Sequence, residues 1–213
     1  MNKCKIKICG IKDIDILSCC IENKVDFFGL IFYSKSPRNI KPEQAYKLIN
    51  YSKKNLISSV GVFVDEPIDQ IKQILTKLKF NYVQLHGNEN SDYIDEIKKN
   101  NKINIIKAIS ISSSKDFINI QNYPNVDMFL FDYKPKTNEL PGGNAKTFSW
   151  DLINDIKIDK PWFLSGGINV NNINKIKNYK IPYGIDISSG VEEKKGIKSI
   201  QKIKEILKFY DSK

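Results

Sequence analysis

Short apolar runs alternate with amphipathic segments along the whole chain. Each run is bounded by polar or turn-forming residues, and most of its positions are apolar without strict alternation. This pattern predicts strands covered on both faces, because a strand with one solvent-facing side alternates apolar and polar residues. The eight runs are Ile6–Cys9, Phe27–Phe32, Ser59–Val64, Tyr82–Leu85, Ile103–Ala108, Met128–Asp132, Trp162–Ser165 and Gly184–Ile187.

The segments between the runs predict helices. Apolar residues recur every three or four positions from Ile68 to Leu78 and from Ile197 to Leu207, which places them on one helical face. Pro67 suits the first turn of the helix that follows the third run. Eight strands alternating with about eight helices indicate an α/β fold with a parallel sheet.

The chain length favours a closed barrel over an open sheet. Eight βα units in 213 residues predict one (β/α)8 domain, a TIM barrel, spanning residues 1–213. An open doubly wound sheet is the alternative, because closure is not visible in the sequence. No Gly-x-Gly-x-x-Gly motif follows the first run, so a dinucleotide-binding fold has little support.

The composition limits the compartment and the metal sites that are expected for this protein. No apolar run approaches the roughly 18–20 residues that span a bilayer, and the N-terminus lacks the apolar core of a signal peptide. A cytoplasmic protein without a membrane partner is therefore expected. The four cysteines precede residue 21 and the only histidine is His86, so the close Cys and His spacing of a metal site is absent.

The formal net charge of +10 suits a nucleic-acid partner, but the distribution of charge argues against one. Lysines are spread over the whole chain among acidic residues, and no basic block carries interleaved aromatic side chains. A compositional bias toward lysine is therefore favoured. Against that bias, Arg38 is the only arginine. Its planar donor fork suits a carboxylate or phosphate, although chance retention explains it equally well.

Two run ends rich in glycine and serine predict a phosphate site. Gly166 and Gly167 follow the seventh run, and Ser188, Ser189 and Gly190 follow the eighth. Backbone N–H groups left bare by glycine and serine hydroxyls are anion donors, and barrels of this type commonly bind phosphate at these two strand ends. Ordinary strand-to-helix turns are the alternative.

Cys9 and Asp132 end the first and sixth runs, where a barrel carries its catalytic groups. A thiolate is a base or nucleophile, and a carboxyl group is a general acid or base. The alternatives are a buried core cysteine and a carboxylate paired with Lys134. Asp186 is expected to support the site from inside the barrel, and His86 is expected to be either catalytic or structural.

In order along the chain, these motifs resemble those of the phosphoribosylanthranilate isomerase family. The resemblance covers about residues 5–192, nearly the whole chain. Its specific part combines Lys7-Ile8-Cys9-Gly10, Ser36-Pro37-Arg38 and Ser188-Ser189-Gly190-Val191-Glu192. Several of the matching motifs, taken singly, are generic to phosphate-binding barrels. The further matches are Gly61-Val62-Phe63-Val64, Val83-Gln84-Leu85-His86-Gly87, Phe131-Asp132, Pro141-Gly142-Gly143 and Leu164-Ser165-Gly166-Gly167-Ile168.

The resemblance implies an enzyme of tryptophan biosynthesis that acts without a cofactor. Its substrate would be a small phosphoribosyl compound, N-(5-phosphoribosyl)anthranilate, rearranged by Amadori chemistry to 1-(2-carboxyphenylamino)-1-deoxyribulose 5-phosphate. Cys9 would be the general base at C2 and Asp132 the general acid at the ring oxygen. Arg38 would hold the anthranilate carboxylate, and the loops at Gly166–Gly167 and Ser188–Gly190 the phosphate. The oligomeric state, monomer or homodimer, stays open.

The chain departs from the family pattern in three places. Asn144-Ala145 replaces a threonine or serine followed by glycine, and Ser149 and Ser199 each replace a common aspartate. These departures put in doubt the mobility of the loop after the sixth run and the order around the last helix. None of them involves the acid, the base or Arg38.

Alternative functions would require other residues in the sequence or other binding behaviour. An isomerase of histidine biosynthesis would have an aspartate in place of Cys9, and a pentulose-phosphate epimerase would need several metal-binding histidines. A non-catalytic barrel that binds nucleic acid is the rival from another class. It would show salt-dependent DNA binding and no turnover of the anthranilate compound.

Overall fold

The computed structural model describes residues 4–99, 101–154 and 156–211. Eight parallel strands close into a barrel in chain order, and the last strand pairs with the first. The (β/α)8 barrel is confirmed and the open sheet is wrong; the predicted domain limits, residues 1 and 213, lie outside the described residues. The strands are β1 (Lys5–Cys9), β2 (Phe27–Ile31), β3 (Ser58–Phe63), β4 (Tyr82–Leu85), β5 (Asn104–Ile111), β6 (Met128–Tyr133), β7 (Trp162–Leu164) and β8 (Gly184–Ile187).

The helical layer is less regular than the sequence predicts. Pro67 immediately precedes the third helix, close to its predicted place. The predicted alternation of strands and helices is confirmed, but after β5, β6 and β7 the helical segments of the described chain are 3₁₀ turns instead of α-helices, at Ser114–Asn122, Trp150–Ile153 and Ile173–Asn178. The α-helices of the described residues are α1 (Ile14–Glu22), α2 (Pro42–Ser52), α3 (Ile68–Lys77), α4 (Ser91–Lys99) and α5 (Ile200–Asp211).

Asparagine side chains explain why the segment after β7 does not form an α-helix. The Asn169 backbone N–H donates to the Asn172 side chain at 2.8 Å, and the Asn169 side chain donates to the Gly167 carbonyl at 2.8 Å. Such local bonds compete with the helical ladder, and asparagine has a low helix propensity. The segment therefore forms only a 3₁₀ turn.

A cluster of apolar side chains packs inside the barrel. Phe27 and Phe163 meet edge to face with their ring centroids 5.2 Å apart, and Val60, Val62 and Leu130 pack in the same cluster. A larger apolar cluster lies between the strands and the helices. Because the interior is packed, the site is confined to the rim at the carboxyl ends of the strands.

A short antiparallel hairpin lies between β8 and α5. It comprises β9 (Glu192–Lys194) and β10 (Ile197–Lys198). Ser199 then precedes α5, and its hydroxyl accepts the Lys202 backbone N–H at 3.3 Å. This is the N-cap role that aspartate also fills, so the departure at Ser199 preserves the start of the helix.

Membrane insertion through a helix finds no support in the part of the chain that the structure describes. None of its helices combines the length and the apolar character that crossing a bilayer requires.

Candidate active site

A single cavity at the carboxyl ends of the strands brings together residues from distant parts of the chain. Its volume is about 50 Å³, and Pro141, Gly142 and Gly143 form part of its wall. Of the predicted site residues, Gly166, Gly167, Ser189 and Gly190 lie outside its lining. The other polar side chains around it are Cys9, Tyr33, Ser36, Arg38, Gln84, His86, Asp132, Ser165, Asp186 and Ser188.

Cys9 is the last residue of β1 and is 5% exposed. Gly29 is its partner on β2, and a β-carbon at Gly29 would lie 2.7 Å from the Cys9 sulfur. The glycine therefore leaves room for the thiol. Burial raises the pKa of Cys9 above its ordinary value, while the charge of Lys7 acts in the opposite direction.

Lys7 and Asp186 form a buried ion pair inside the barrel. The Lys7 Nζ lies 2.8 Å from Asp186 Oδ1, and the two side chains are 0% and 5% exposed. The second carboxylate oxygen, Oδ2, accepts from the Ser165 hydroxyl at 3.4 Å. Asp186 therefore points into the barrel beside the cavity, and its role as a support for the site stays a prediction. Burial lowers the pKa of Lys7, but Asp186 and Cys9 outweigh burial and raise it.

Asp132 is held at the cavity by two contacts. Its Oδ1 accepts the Tyr133 backbone N–H at 2.8 Å, and its Oδ2 lies 3.2 Å from His86 Nε2. The alternative of a salt bridge with Lys134 is wrong, because the Lys134 ammonium lies 3.0 Å from Asp116 instead. The exposed lysine side chain extends to the neighbouring strand end, whereas Asp132 points into the barrel.

His86 links Asp132 to Gln84. The Gln84 Nε2 lies 2.7 Å from His86 Nδ1, and donation by the amide there leaves the His86 proton on Nε2, facing Asp132. Within the described residues, the buried Gln84 Oε1 has no hydrogen-bond partner. His86 is thus part of the site, and Gln84 presents an unsatisfied acceptor in the same cavity.

The planar guanidinium group of Arg38 binds a carboxylate of the same chain. Its Nε and Nη2 donate to the two oxygens of Glu192 at 2.7 and 2.8 Å. Lys198 joins the cluster, because its Nζ donates to Glu192 Oε1 at 2.8 Å and to the Ser188 carbonyl at 2.9 Å. Burial raises the pKa of Glu192, but these cations outweigh it and lower the pKa to about 2.

The two loops predicted to hold phosphate pack against each other. Gly166 and Gly167 adopt φ values of +88° and +60°, a region that favours glycine. A β-carbon at Gly167 would lie 2.9 Å from the Lys146 backbone, and one at Gly190 would collide with the Ile168 carbonyl. The segment after β6 therefore rests on the first of these loops. Phosphate binding here stays a prediction.

Four site residues had no role assigned from the sequence: Lys7, Gln84, Glu192 and Lys198. Lys7 and Gln84 are the detectable ones, because each is a lone polar residue within a buried apolar run. Glu192 and Lys198 carry no such signal, since lysines and acidic residues surround them in the sequence. No group of three or more His, Cys, Asp or Glu side chains in the described residues is placed to hold a metal ion.

Known proteins resemble this chain over nearly its full length. A family model described as N-(5'-phosphoribosyl)anthranilate (PRA) isomerase matches residues 6–209. The isomerase of that name from Paramagnetospirillum magneticum is 35% identical over 206 residues, which are 96% of this chain and 95% of the relative.

Two crystal structures extend the comparison to the fold. One shows monomers generated from the dimeric isomerase of Thermotoga maritima, with a TM-score of 0.83, 31% identity, and coverage of 99% of this chain and 100% of that one. The other shows a PRA isomerase in complex with reduced 1-(o-carboxyphenylamino)-1-deoxyribulose 5-phosphate, with a TM-score of 0.83, 30% identity and the same coverage. The chain therefore belongs to the N-(5'-phosphoribosyl)anthranilate isomerase family.

Proposed function

We propose that this isomerase of tryptophan biosynthesis rearranges N-(5-phosphoribosyl)anthranilate with Cys9 as the general base and Asp132 as the general acid. One observation supports the assignment above the others: both groups line the same cavity, on β1 and β6 of an eight-stranded barrel. An acid and a base on different sides of one substrate are what ring opening followed by enolisation requires.

The reaction has two proton transfers that these residues perform. Asp132 donates a proton to the furanose ring oxygen, and the C1–O bond breaks as the anthranilate nitrogen forms a protonated imine. Cys9 then removes the proton from C2 to give the enolamine, which tautomerises to the 2-ketone. Each transfer contributes roughly 10²–10⁴-fold to the rate. In the tautomerisation C1 gains a proton and the C2 hydroxyl loses one, and proton exchange with water returns Cys9 to the thiolate and Asp132 to the acid, so atoms and charges balance without an added cofactor.

The neighbours of Asp132 fix the position of its carboxyl group at the cavity. His86 Nε2 faces Oδ2, and the Tyr133 backbone N–H fixes Oδ1. Gln84 orients His86 and leaves its own Oε1 without a partner. A buried acceptor left unpaired costs about 1–3 kcal/mol. A substrate hydroxyl that donates to Gln84 Oε1 would recover that free energy on binding.

Arg38 and the two glycine-containing loops would hold the ends of the substrate. Arg38 has five N–H donors, and Glu192 takes two of them. The Nη1 group, which makes no hydrogen bond within the described residues, would bind the anthranilate carboxylate. Gly166, Gly167, Ser188, Ser189 and Gly190 would bind the phosphate through backbone N–H groups and hydroxyls. Glu192 fixes the Arg38 fork so that Nη1 faces the cavity wall.

The segment over the cavity must withdraw before substrate enters. The cavity of about 50 Å³ has room for only a few water molecules, whereas sites for ligands of this size measure roughly 300–1,000 Å³. Gly142 and Gly143, which approach Asp132 and Arg38, lie in the segment between β6 and the Trp150–Ile153 turn. Opening of this segment would admit substrate, and closing would exclude water from the imine.

The remaining expectations on partners and compartment stay predictions. The related T. maritima isomerase is dimeric, and for this chain monomer and homodimer are both open. We expect a cytoplasmic enzyme with a small-molecule substrate and neither nucleic acid nor membrane as a partner.

The direct test is a fluorescence assay with freshly made N-(5-phosphoribosyl)anthranilate. Purified protein should consume the substrate faster than its spontaneous decay and in proportion to enzyme concentration. Decay at the uncatalysed rate would overturn the assignment. Salt-dependent binding to unrelated DNA together with that result would favour the non-catalytic alternative instead.

A further inference from the structure

Lys7 is a fully buried cation that the proposed mechanism does not use. Its side chain is 0% exposed and it is not among the residues that line the cavity. Lys7 and Cys9 are two positions apart on β1, so both side chains point into the barrel. Asp186, directly opposite Lys7 on β8, binds its ammonium at 2.8 Å.

A buried ammonium beside a thiol alters the chemistry of that thiol. The thiolate is the basic form of cysteine, and burial in a nonpolar barrel disfavours it. A positive charge in the same interior stabilises the thiolate, and low local polarity strengthens the effect. A neutral thiol is a poor base, so the proposed role of Cys9 requires such a charge nearby.

The charged groups around Cys9 come from several strands and loops. Lys7 on β1 and Asp186 on β8 lie in the barrel interior, and Lys198 on β10 lies beyond Ser188. Arg38, His86 and Asp132 line the cavity from the loop after β2, the end of β4 and β6. Burial raises the pKa of Cys9. Lys7 is the largest influence lowering it, Asp186 raises it, and Lys198 lowers it.

We propose that Lys7 is a positioning residue that favours the thiolate form of Cys9 against the effect of burial, with Asp186 anchoring the Lys7 ammonium beside it. The inference rests on the proposed role of Cys9 as the base. Asp186 has two opposing effects: it fixes the cation in place, and its negative charge limits how far the cation favours the thiolate. A pair that only stabilised the barrel would have neither effect on the thiol.

The test is a titration of thiolate absorbance in the ultraviolet, made on the intact chain. Each protein is compared with the same protein carrying Cys9→Ser, so that Cys4, Cys19 and Cys20 are subtracted. Lys7→Met should raise the pKa of Cys9 by roughly 1–3 pH units, because nearby charges shift pKa values by that amount. Asp186→Asn should change it less, since loss of the negative charge lowers this pKa and loss of the anchor raises it. An unchanged or lowered Cys9 pKa in Lys7→Met would overturn the proposal.

Loss of one partner of a buried pair can prevent folding, so a double variant is included. Lys7→Met with Asp186→Asn leaves no unpaired charge in the interior. Its Cys9 pKa should lie above that of the wild type and below that of Lys7→Met alone, because Lys7 has the larger influence of the two. A value equal to that of the wild type would show that the pair has no net effect on the thiol.

Kinetic measurements distinguish failure of the proposed role of Lys7 from failure of the role of Cys9 as the base. In Lys7→Met, the acidic limb of the kcat/KM profile should move to higher pH together with the thiolate titration. If Cys9→Ser keeps full activity, the role of Cys9 as base fails whatever the titrations show. If Cys9→Ser is inactive and the Cys9 pKa does not respond to Lys7, only the present proposal fails.

Discussion

At the residue scale, the position of the Cys9 sulfur depends on a missing side chain. Gly29 lies beside Cys9 on β2, and its hydrogen leaves the space that the thiol occupies. The sequence identifies Cys9 as a candidate base or nucleophile, because the thiol ends a strand before a glycine, and the family resemblance implies the base. The sequence offers no reason to select Gly29, since contacts between neighbouring strands depend on register, which the sequence does not show.

Replacing Gly29 with alanine should displace the thiol. The new β-carbon would lie 2.7 Å from the sulfur and 3.1 Å from the Cys9 α-carbon, and a displacement of about 1 Å can reduce a rate by about 10²-fold. We expect kcat to fall by that order while circular dichroism shows an intact barrel. Gly61→Ala is the matched control, because its β-carbon would contact Phe63 and Phe80 instead. Equal effects of the two substitutions on kcat would contradict the role of Gly29 in leaving space for the Cys9 thiol.

At the element scale, the segment between β6 and the Trp150–Ile153 turn covers part of the cavity through Pro141, Gly142 and Gly143. The sequence predicts an irregular functional loop from Tyr133 to Phe148, and beyond β6 the structure has no helix or strand there up to Trp150. Ala145 adopts a φ of +56°, where glycine is usual. The departure at this position therefore places a strained alanine in the loop, a feature that a motif comparison alone cannot evaluate.

Gly143→Ala should hold this segment away from the barrel. A β-carbon there would collide with Arg38 Nη1, and the glycine has a φ of +68°. A side chain in this region costs about 1–2 kcal/mol, so we expect KM to rise about tenfold or more. Ala145→Gly is the comparison variant, because it relieves strain in the same loop and should leave KM unchanged or lower it. A higher KM for Ala145→Gly alone would argue against the role of the loop.

At the scale of the whole molecule, the strands could be predicted and the long-range contacts could not. All eight apolar runs form strands, because burial on both faces leaves a local signature in the sequence. The ion pairs Arg38–Glu192 and Lys7–Asp186 join residues about 150 or more positions apart. Nothing local marks Glu192 as the partner of Arg38. Barrel closure brings them together, and the sequence allows closure without demonstrating it.

The cluster of Arg38, Glu192 and Lys198 should make stability depend on pH. The pKa of Glu192 is about 2 in the folded chain, against an ordinary value of 4.5. Its contribution is therefore complete above pH 4.5 and is lost as the pH falls toward 2. Glu192→Gln should lower the free energy of unfolding most near neutral pH, and its difference from the wild type should shrink below pH 4.5. Urea unfolding across this range measures both, and a constant difference would contradict the pairing.

In the proposed mechanism, Cys9 and Asp132 act together on one substrate. The most direct measurement is kcat/KM for N-(5-phosphoribosyl)anthranilate in Cys9→Ser and Asp132→Asn, with thermal unfolding as the check on folding. We expect each variant to lose about 10²–10⁴-fold in kcat/KM, the range for loss of a general acid or base, while its Tm stays near that of the wild type. A rate close to that of the wild type in either folded variant would remove that residue from the mechanism.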